Sequence, residues 1–236
     1  SSATVLNMSF GVSAARLYPM MNDLVENIPE LSRALYGDAV PKEPERTQIQ
    51  VNFVNSALLG NAQLAQALGA YQGATQNAAN LGKVIVVAAG NEQNDVTEYT
   101  AAGVSMQNWA ALNVLGMSGN VITVGASRTN GTPENLADDT VADFSSHGTD
   151  QLPITITTQG TDMAVNYGYV LSFGGSVNGT SVSAPLVAAT VALMQQQNPH
   201  LTFAEVKAML QAAAVDTPAP AVAEGAGMLD VVDALV

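Results

Sequence analysis

Cysteine is absent from the sequence, so neither a disulfide nor a thiolate metal site can hold this fold or do its chemistry. The chain can therefore fold in an oxidising or a reducing compartment. Cations are scarce: 7 Lys and Arg stand against 20 Asp and Glu, for a formal net charge of -13. A surface of that sign repels nucleic acid and anionic membranes, and neither is expected as a partner. No apolar run approaches the length a membrane span requires, and the opening SSATVLNMSF lacks the basic head of a signal peptide. Histidine occurs only 2 times, at His147 and His200. What remains is a chain of 236 residues, 47% hydrophobic and 11% charged, long enough and apolar enough to bury one core. It shows no internal repeat and no second domain boundary.

Hydrophobic patterning predicts an alternation of helices and buried strands. Residues 3–8 read as a short buried strand ending at Gly11. Leu17, Met20, Met21, Leu24, Ile28, Leu31 and Leu35 recur at helical spacing, with Pro29 breaking or kinking that helix. Residues 37–48, GDAVPKEPERTQ, read as an exposed connection. An Ala-rich stretch from about 51 to 81 predicts one long helix or two shorter ones, stopped by Gly82. The runs at 83–89 (KVIVVAA) and 121–126 are continuous apolar segments, as in strands covered on both faces. Residues 154–158 and 170–173 are further strand candidates, and a helix is expected over about 180–197. Thr202 precedes Glu205 by three residues, a capping box that opens a helix over 203–214. The fold class expected is α/β, with a mainly parallel sheet flanked by helices.

The stretch NGTSVSAP, residues 178–185, places two serines among small residues where the 180–197 helix begins. A helix N-terminus holds unpaired backbone N–H groups and the positive end of the dipole. It therefore stabilises the negative charge that a hydroxyl nucleophile and its tetrahedral intermediate develop. Gly179 and Ala184 would keep the approach open, and Pro185 would leave a preceding carbonyl unpaired. Taken alone, the octapeptide is better read as a helix capped by Thr180 or Ser181 and packed through small residues, with no chemistry. A second stretch, VVAAGNE, carries the buried strand at 83–89 straight into Asn91 and Glu92. The C-terminal end of such a strand is where binding and catalytic groups collect in open α/β sheets, and an Asn amide there can donate to an oxyanion. The plainer alternative is a Gly90-Asn91 turn.

Together and in this order the motifs resemble the subtilisin-like serine proteases, the subtilases. GTSVSAP is similar to that family's nucleophile motif, which implies Ser181 as the attacking serine. VVAAGNE is similar to its oxyanion-hole motif, which implies Asn91 as side-chain donor beside the Ser181 backbone N–H. LNMSFG, residues 6–11, is similar to the segment that pairs with extended substrate and lines the specificity pocket. By that match Ser9, Phe10 and Gly11, with Ala88, Ala89 and Gly90, are the expected pocket walls. VITVGAS, DFSSHG and GAGMLDVVDA are weaker echoes. The resemblance covers most of the chain except residues 12–50, which read as an insertion. It implies a three-layer subtilisin-like fold, of which residues 1–236 form the C-terminal portion.

The family also requires a histidine base and an aspartate that orients it, and places both before the LNMSFG segment. Neither motif is found here. His147-Gly148-Thr149 spells most of the family's histidine motif, but it follows the oxyanion Asn and runs into the strand-like DQLPITIT where a helix should open. It is already accounted for by DFSSHG. His200, between Asn198-Pro199 and a capped helix, is expected to be an exposed loop side chain. The resemblance thus implies a serine endopeptidase whose nucleophile and oxyanion hole lie in this chain, with Asp and His supplied by an N-terminal fragment. Three accounts fit: a nicked protease with that fragment bound, an excised or truncated part of a longer enzyme, or a non-catalytic peptide-binding module. An esterase or acyl hydrolase using Ser181 is a further alternative. Peptide or protein is the expected substrate, and secretion the expected location. No cofactor is needed for the chemistry. Calcium is common in the family, and Asp138, Asp139 and Asp143 form a small acidic cluster, but their spacing specifies no site and they read as solvated loop carboxylates.

Overall fold

The structure of the protein, a computed structural model, describes residues 4–132, 135–166 and 174–236. Among them, β1 (Val5–Met8), β2 (Val84–Ala88) and β3 (Ile122–Arg128) run parallel in that spatial order. The register pairs Val5 with Val84 and Val86 with Ile122. Two strands share the far edge of β3: β4 (Thr140–Val141) antiparallel, and β5 (Ile156–Gln159) parallel with Val124 opposite Ile156. A separate antiparallel hairpin joins β6 (Met163–Asn166) to β7 (Gly174–Val177). The strand expected over 170–173 lies outside the described residues, and nothing in the patterning had pointed to β6.

The layers follow from the strand sequences. All five residues of β2 are buried, which requires cover on both faces. On one face Val84, Val86, Ile122, Val124 and Ile156 meet Val187, Val191 and Met194 of α6 (Thr180–Gln197) and Val206 and Leu210 of α7 (Phe203–Ala212). On the other, Ile85, Val87 and Val121 pack against Tyr71 and Ala78 of α4 (Ala62–Asn80). The result is helix, sheet, helix. The expected capping box opens α7: Thr202 Oγ1 accepts from Glu205 N–H, and Glu205 accepts from Thr202 N–H at 2.8 Å.

Three helices form a further layer with a core of its own. The periodic segment breaks as expected, with α1 (Leu17–Asn27) and α2 (Pro29–Tyr36) hinged at an extended Ile28, since the residue before proline avoids helical dihedrals. The next helix, α3 (Glu45–Gly60), starts six residues earlier than its Ala-rich signal suggests. The Glu43 carboxylate explains this by accepting from Thr47 N–H at 3.2 Å and Thr47 Oγ1 at 2.6 Å, so the charged PERTQ begins the helix and only the stretch before it is a connection. Asn61 is extended, separates α3 from α4 and caps α4 through its side chain. Tyr18, Met21, Val25, Val51 and Val54 pack together with Val104 and Ala110. A short α5 (Gln93–Ala101) follows β2 and had no signal in the sequence.

One expectation about β1 requires correction. It is half-exposed, not buried: Leu6 is 53% exposed, because among the described residues β1 pairs only with β2 and forms the sheet's edge. A final short α8 (Ala221–Glu224) follows Pro220, and Leu229 and Ala234 beyond it join the main core.

Candidate active site

The first turn of α6 and the end of β2 are tied by side chains. Gly179 precedes the helix with φ +151, and no side chain caps from that position. Neither Thr180 nor Ser181 caps its own helix. Instead Asn91, across the turn, accepts from Thr180 N–H at 2.9 Å, while Thr180 Oγ1 donates to the same Asn91 Oδ1 at 3.0 Å and accepts from Gly90 N–H at 3.2 Å. A backbone N–H can only donate, so the atom facing it must be the amide oxygen. Asn91 Nδ2 is thereby turned the other way, and no hydrogen bond engages it among the described residues.

The two serines separate cleanly. Ser183 is fully buried, and its hydroxyl reaches the carbonyls of Thr158 at 3.2 Å and Gln159 at 3.1 Å, tying α6 to β5. Ser181 is half-buried, and its Oγ has no hydrogen-bond partner among the described residues. As the second residue of α6 it carries one of the N–H groups that no helical carbonyl can reach. Gly179 leaves the space between the two groups open: a Cβ there would lie 3.1 Å from Ser181 Oγ and 3.4 Å from Asn91 Nδ2. Pro185 cannot donate to the Ser181 carbonyl one turn back. Ala184, expected to keep the approach open, is instead fully buried against the sheet, since it falls on the core face of α6.

Ser181 and Asn91 line a cavity of about 170 Å³ together with Ser9, Phe10, Gly11, Ala88 and Gly90. Five of the six expected wall residues thus converge on it. Ala89 does not: it is fully buried among Leu112 and Ile154, because successive residues of a strand face opposite ways. The cavity also takes in Arg16, Glu92 and Asn113, none of them among the expected walls. Asn113 Nδ2 donates to the carbonyls of Phe10 at 3.1 Å and Ala88 at 2.8 Å, clamping the ends of β1 and β2. Gly11 admits this because any Cβ there would collide with the Asn113 amide. Glu92 accepts from Asn91 N–H at 3.0 Å and faces Arg16 Nε at 3.7 Å.

Neither histidine lines this cavity. His147 is half-buried, lines two other cavities, and has an imidazole pKa pushed down by burial. Its loop braces the turn after β2: Gln93 N–H donates to Phe144 O, Glu92 N–H to Ser146 Oγ, and His147 N–H to Gln93 Oε1. His200 is exposed, as expected. The acidic cluster does not converge as a calcium-binding set. Asp138 accepts from Thr132 Oγ1 and Asn135 Nδ2, Asp143 lies 3.9 Å from Arg128, and Asp139 is only 3% exposed. The reading of Asp139 as a solvated loop residue is corrected by that burial, which raises its pKa. Among the described residues no group of three or more His, Asp or Glu is placed to hold a metal ion, and no helix is long and apolar enough to cross a membrane.

Comparison with known proteins bears on this geometry. The model of the Subtilase family matches residues 1–228. The serine protease AprX of Bacillus subtilis (strain 168) is 33% identical over 157 residues, covering 58% of this chain and 31% of that protein. A protease structure from Pseudoalteromonas arctica PAMC 21717 superposes with a TM-score of 0.54 at 21% identity, over 99% of this chain and 50% of its own. Fervidolysin from Fervidobacterium pennivorans, described as a keratinolytic enzyme related to subtilisin, superposes with a TM-score of 0.51 at 22% identity, over 70% of this chain and 24% of its own. The chain therefore spans half or less of the length of each of these relatives, and the two superpositions establish the fold alone. With residues 1–228 of its 236 matched by the family's model, and a mainly parallel sheet flanked by helices, the chain belongs to the subtilase family.

Proposed function

We propose that the protein is a serine endopeptidase in which Ser181 is the nucleophile, and in which Asn91 Nδ2 and the Ser181 N–H receive the oxyanion. The observation that supports this reading is the orientation of Asn91. Its oxygen is committed to Thr180, leaving its amide N–H₂ beside the free Ser181 hydroxyl, with only a glycine between them. A peptide carbonyl carbon at Ser181 Oγ would place its oxygen toward both donors. Attack forms the tetrahedral intermediate, the amine leaves, and water hydrolyses the acyl-enzyme. The proton from Ser181 goes to a histidine that lies outside this sequence, oriented by an aspartate on the same segment of the protease. The open edge of β1 is suited to receive that segment or extended substrate, since its backbone groups have no strand partner on that side among the described residues. Export and a stabilising calcium ion belong to this proposal as habits of the family, and no residue is assigned to the ion. Residues 12–50 are proposed as an insertion, consistent with the separate core of α1 to α3.

Fluorophosphonate labelling of the protein as isolated, followed by peptide mapping, tests the reading. Adduct confined to Ser181 and abolished in Ser181→Ala is the expected outcome. No adduct in a folded sample would mean that the histidine and aspartate are absent from it or lost, leaving a fragment or a peptide-binding module. Asn91→Ala should lower kcat by roughly 10²–10³ with little change in KM, the scale found when the corresponding donor is removed from a subtilisin. Unchanged kcat would remove Asn91 from the oxyanion hole.

A further inference from the structure

The cavity beside Ser181 contains an ion pair, and the two charges in it are not equivalent. Glu92 is 12% exposed at its side chain; its Oε2 accepts from Asn91 N–H at 3.0 Å, and its Oε1 faces Arg16 Nε at 3.7 Å. Arg16 is 68% exposed at its side chain and stands at the start of α1, in the helical layer and not on the sheet. Its Nε lies 3.7 Å from Glu92 Oε1. The two terminal nitrogens of the guanidinium have no partner among the described residues. A guanidinium carries five donors in a planar fork, so it can hold Glu92 through one edge and a second carboxylate through the other.

We propose that Arg16 makes this cavity a subsite for an acidic side chain, aspartate or glutamate, on the residue whose carbonyl Ser181 attacks. The inference rests on the peptidase reading for its account of which substrate residue enters. The carbonyl held between Ser181 and Asn91 brings its own side chain to the same small space, walled by Gly11, Phe10 and Ala88. Three features decide the sign of the charge that is accepted. Glu92 is shielded and already accepts from Asn91 N–H, so it is the less accessible of the two charges to an entering lysine or arginine. Such a side chain would also meet Arg16, the exposed charge. A carboxylate would meet the free terminal nitrogens of Arg16, two coplanar donors that match its two oxygens. In a chain with 7 Lys and Arg, a cation placed at the candidate nucleophile is a specific feature and not a general surface property.

The test is calorimetric titration of the protein with four N-acetylated, C-terminally amidated tetrapeptides that differ only in the last residue: Glu, Gln, Leu or Lys. The Glu peptide should bind about tenfold more tightly than the Gln peptide, as expected for one charge-assisted pair. Arg16→Gln should erase that difference, and Arg16→Glu should invert it in favour of Lys. Both variants alter an exposed side chain, and a thermal unfolding curve superimposable on wild type shows that they fold. Equal binding of Glu and Gln peptides by the wild type, or a preference for Leu or Lys, overturns the proposal. Turnover of the matching anilide substrates is read separately. Acidic preference in binding by a preparation that takes up fluorophosphonate at Ser181 yet turns over no peptide leaves the subsite standing and sinks the peptidase reading; turnover without acidic preference does the reverse.

Discussion

Around the sheet, an aliphatic cluster in which Val84, Val86, Ile122, Val124 and Ile156 meet Val187, Val191, Met194, Val206 and Leu210 is bordered by buried polar side chains that bond to backbone carbonyls, such as Thr157 to Glu224 at 3.0 Å and Gln195 to Gly82 at 2.9 Å. Between α1, α2 and α3 the contact is of another kind. Tyr18 donates to Asn55 Oδ1 at 2.8 Å inside the layer, and Gln50 Nε2 reaches Asn22 Oδ1 and Tyr36 Oη. Tyr18 and Tyr99 meet edge to face with ring centroids 5.8 Å apart. A sheet ladder already fixes the register of its strands, so Thr157, Ser183 and Gln195 near it serve leftover backbone groups and do not pair with one another. Helices on a surface can slide and rotate, and directed polar contacts hold them to one alignment. The candidate site lies on the seam, with Ser181 and Asn91 carried by the sheet side and Arg16 by the helical side.

Truncation inside the aliphatic core should have the largest effect. Leu210→Ala empties fully buried space between α7 and the sheet, and should lower the unfolding free energy by about 2–5 kcal/mol. A urea titration checks this, and a cost below about 1 kcal/mol would mean that this core is no stiffer than the helical layer. Tyr18→Phe comes next. It removes no volume from the ring stack but leaves Asn55 Oδ1 buried without a donor, costing about 1–3 kcal/mol. Burial pushes the Tyr18 phenol up to about 12, so it remains a neutral donor and the loss should not depend on pH near neutrality. If Tyr18→Phe unfolds as wild type does, polar contacts do not align the helical layer.

Ser183→Ala should be milder, at about 1 kcal/mol, since the two carbonyls it serves belong to strand residues and each loses one shared donor. Its value lies in the contrast with Ser181. Probe labelling of Ser181 should survive in Ser183→Ala at wild-type extent, because Ser183 faces β5 and not the cavity. Lost labelling in a stable variant would mean that the tie to β5 positions the nucleophile.

Much of the sheet half was legible in advance because burial on both faces writes continuous apolar runs. KVIVVAA could be little else than β2, and Thr202 with Glu205 announced α7. The motifs around Asn91 and Ser181 led to residues that do meet, though the tie through Thr180 could not be read, since no periodicity records which atom of an amide faces a distant N–H. The seam was not legible at all. Arg16 and Asn113 reach the cavity from segments with no motif, through contacts separated by tens of residues. β1 misled for a related reason: its apolar residues suit a covered strand, and only the sheet order shows it at an edge. The start of α3 was missed because Glu43, one residue before a proline, supplies the cap from outside the helix.

His147 offers the smallest effect and a direct check on its assignment to the supporting loop. Burial lowers its pKa, which means that the folded protein binds a proton there less readily than the unfolded chain does. Its contribution to stability is therefore complete above the unfolded value near 6.5 and is lost as pH falls toward and through the folded value. The buried carboxyls work in the opposite direction. Asp139 and Glu224 have raised pKa values, chiefly from desolvation, so acidification relieves them. The absolute stability curve mixes these signs, and the informative quantity is the difference between wild type and His147→Gln. That difference should be constant from pH 8 to about 7, then move in favour of His147→Gln as pH falls toward about 5. Chemical denaturation across that range measures it. A difference that moved the other way would require a carboxylate stabilising the imidazolium, the arrangement expected of a catalytic base and not of a loop brace.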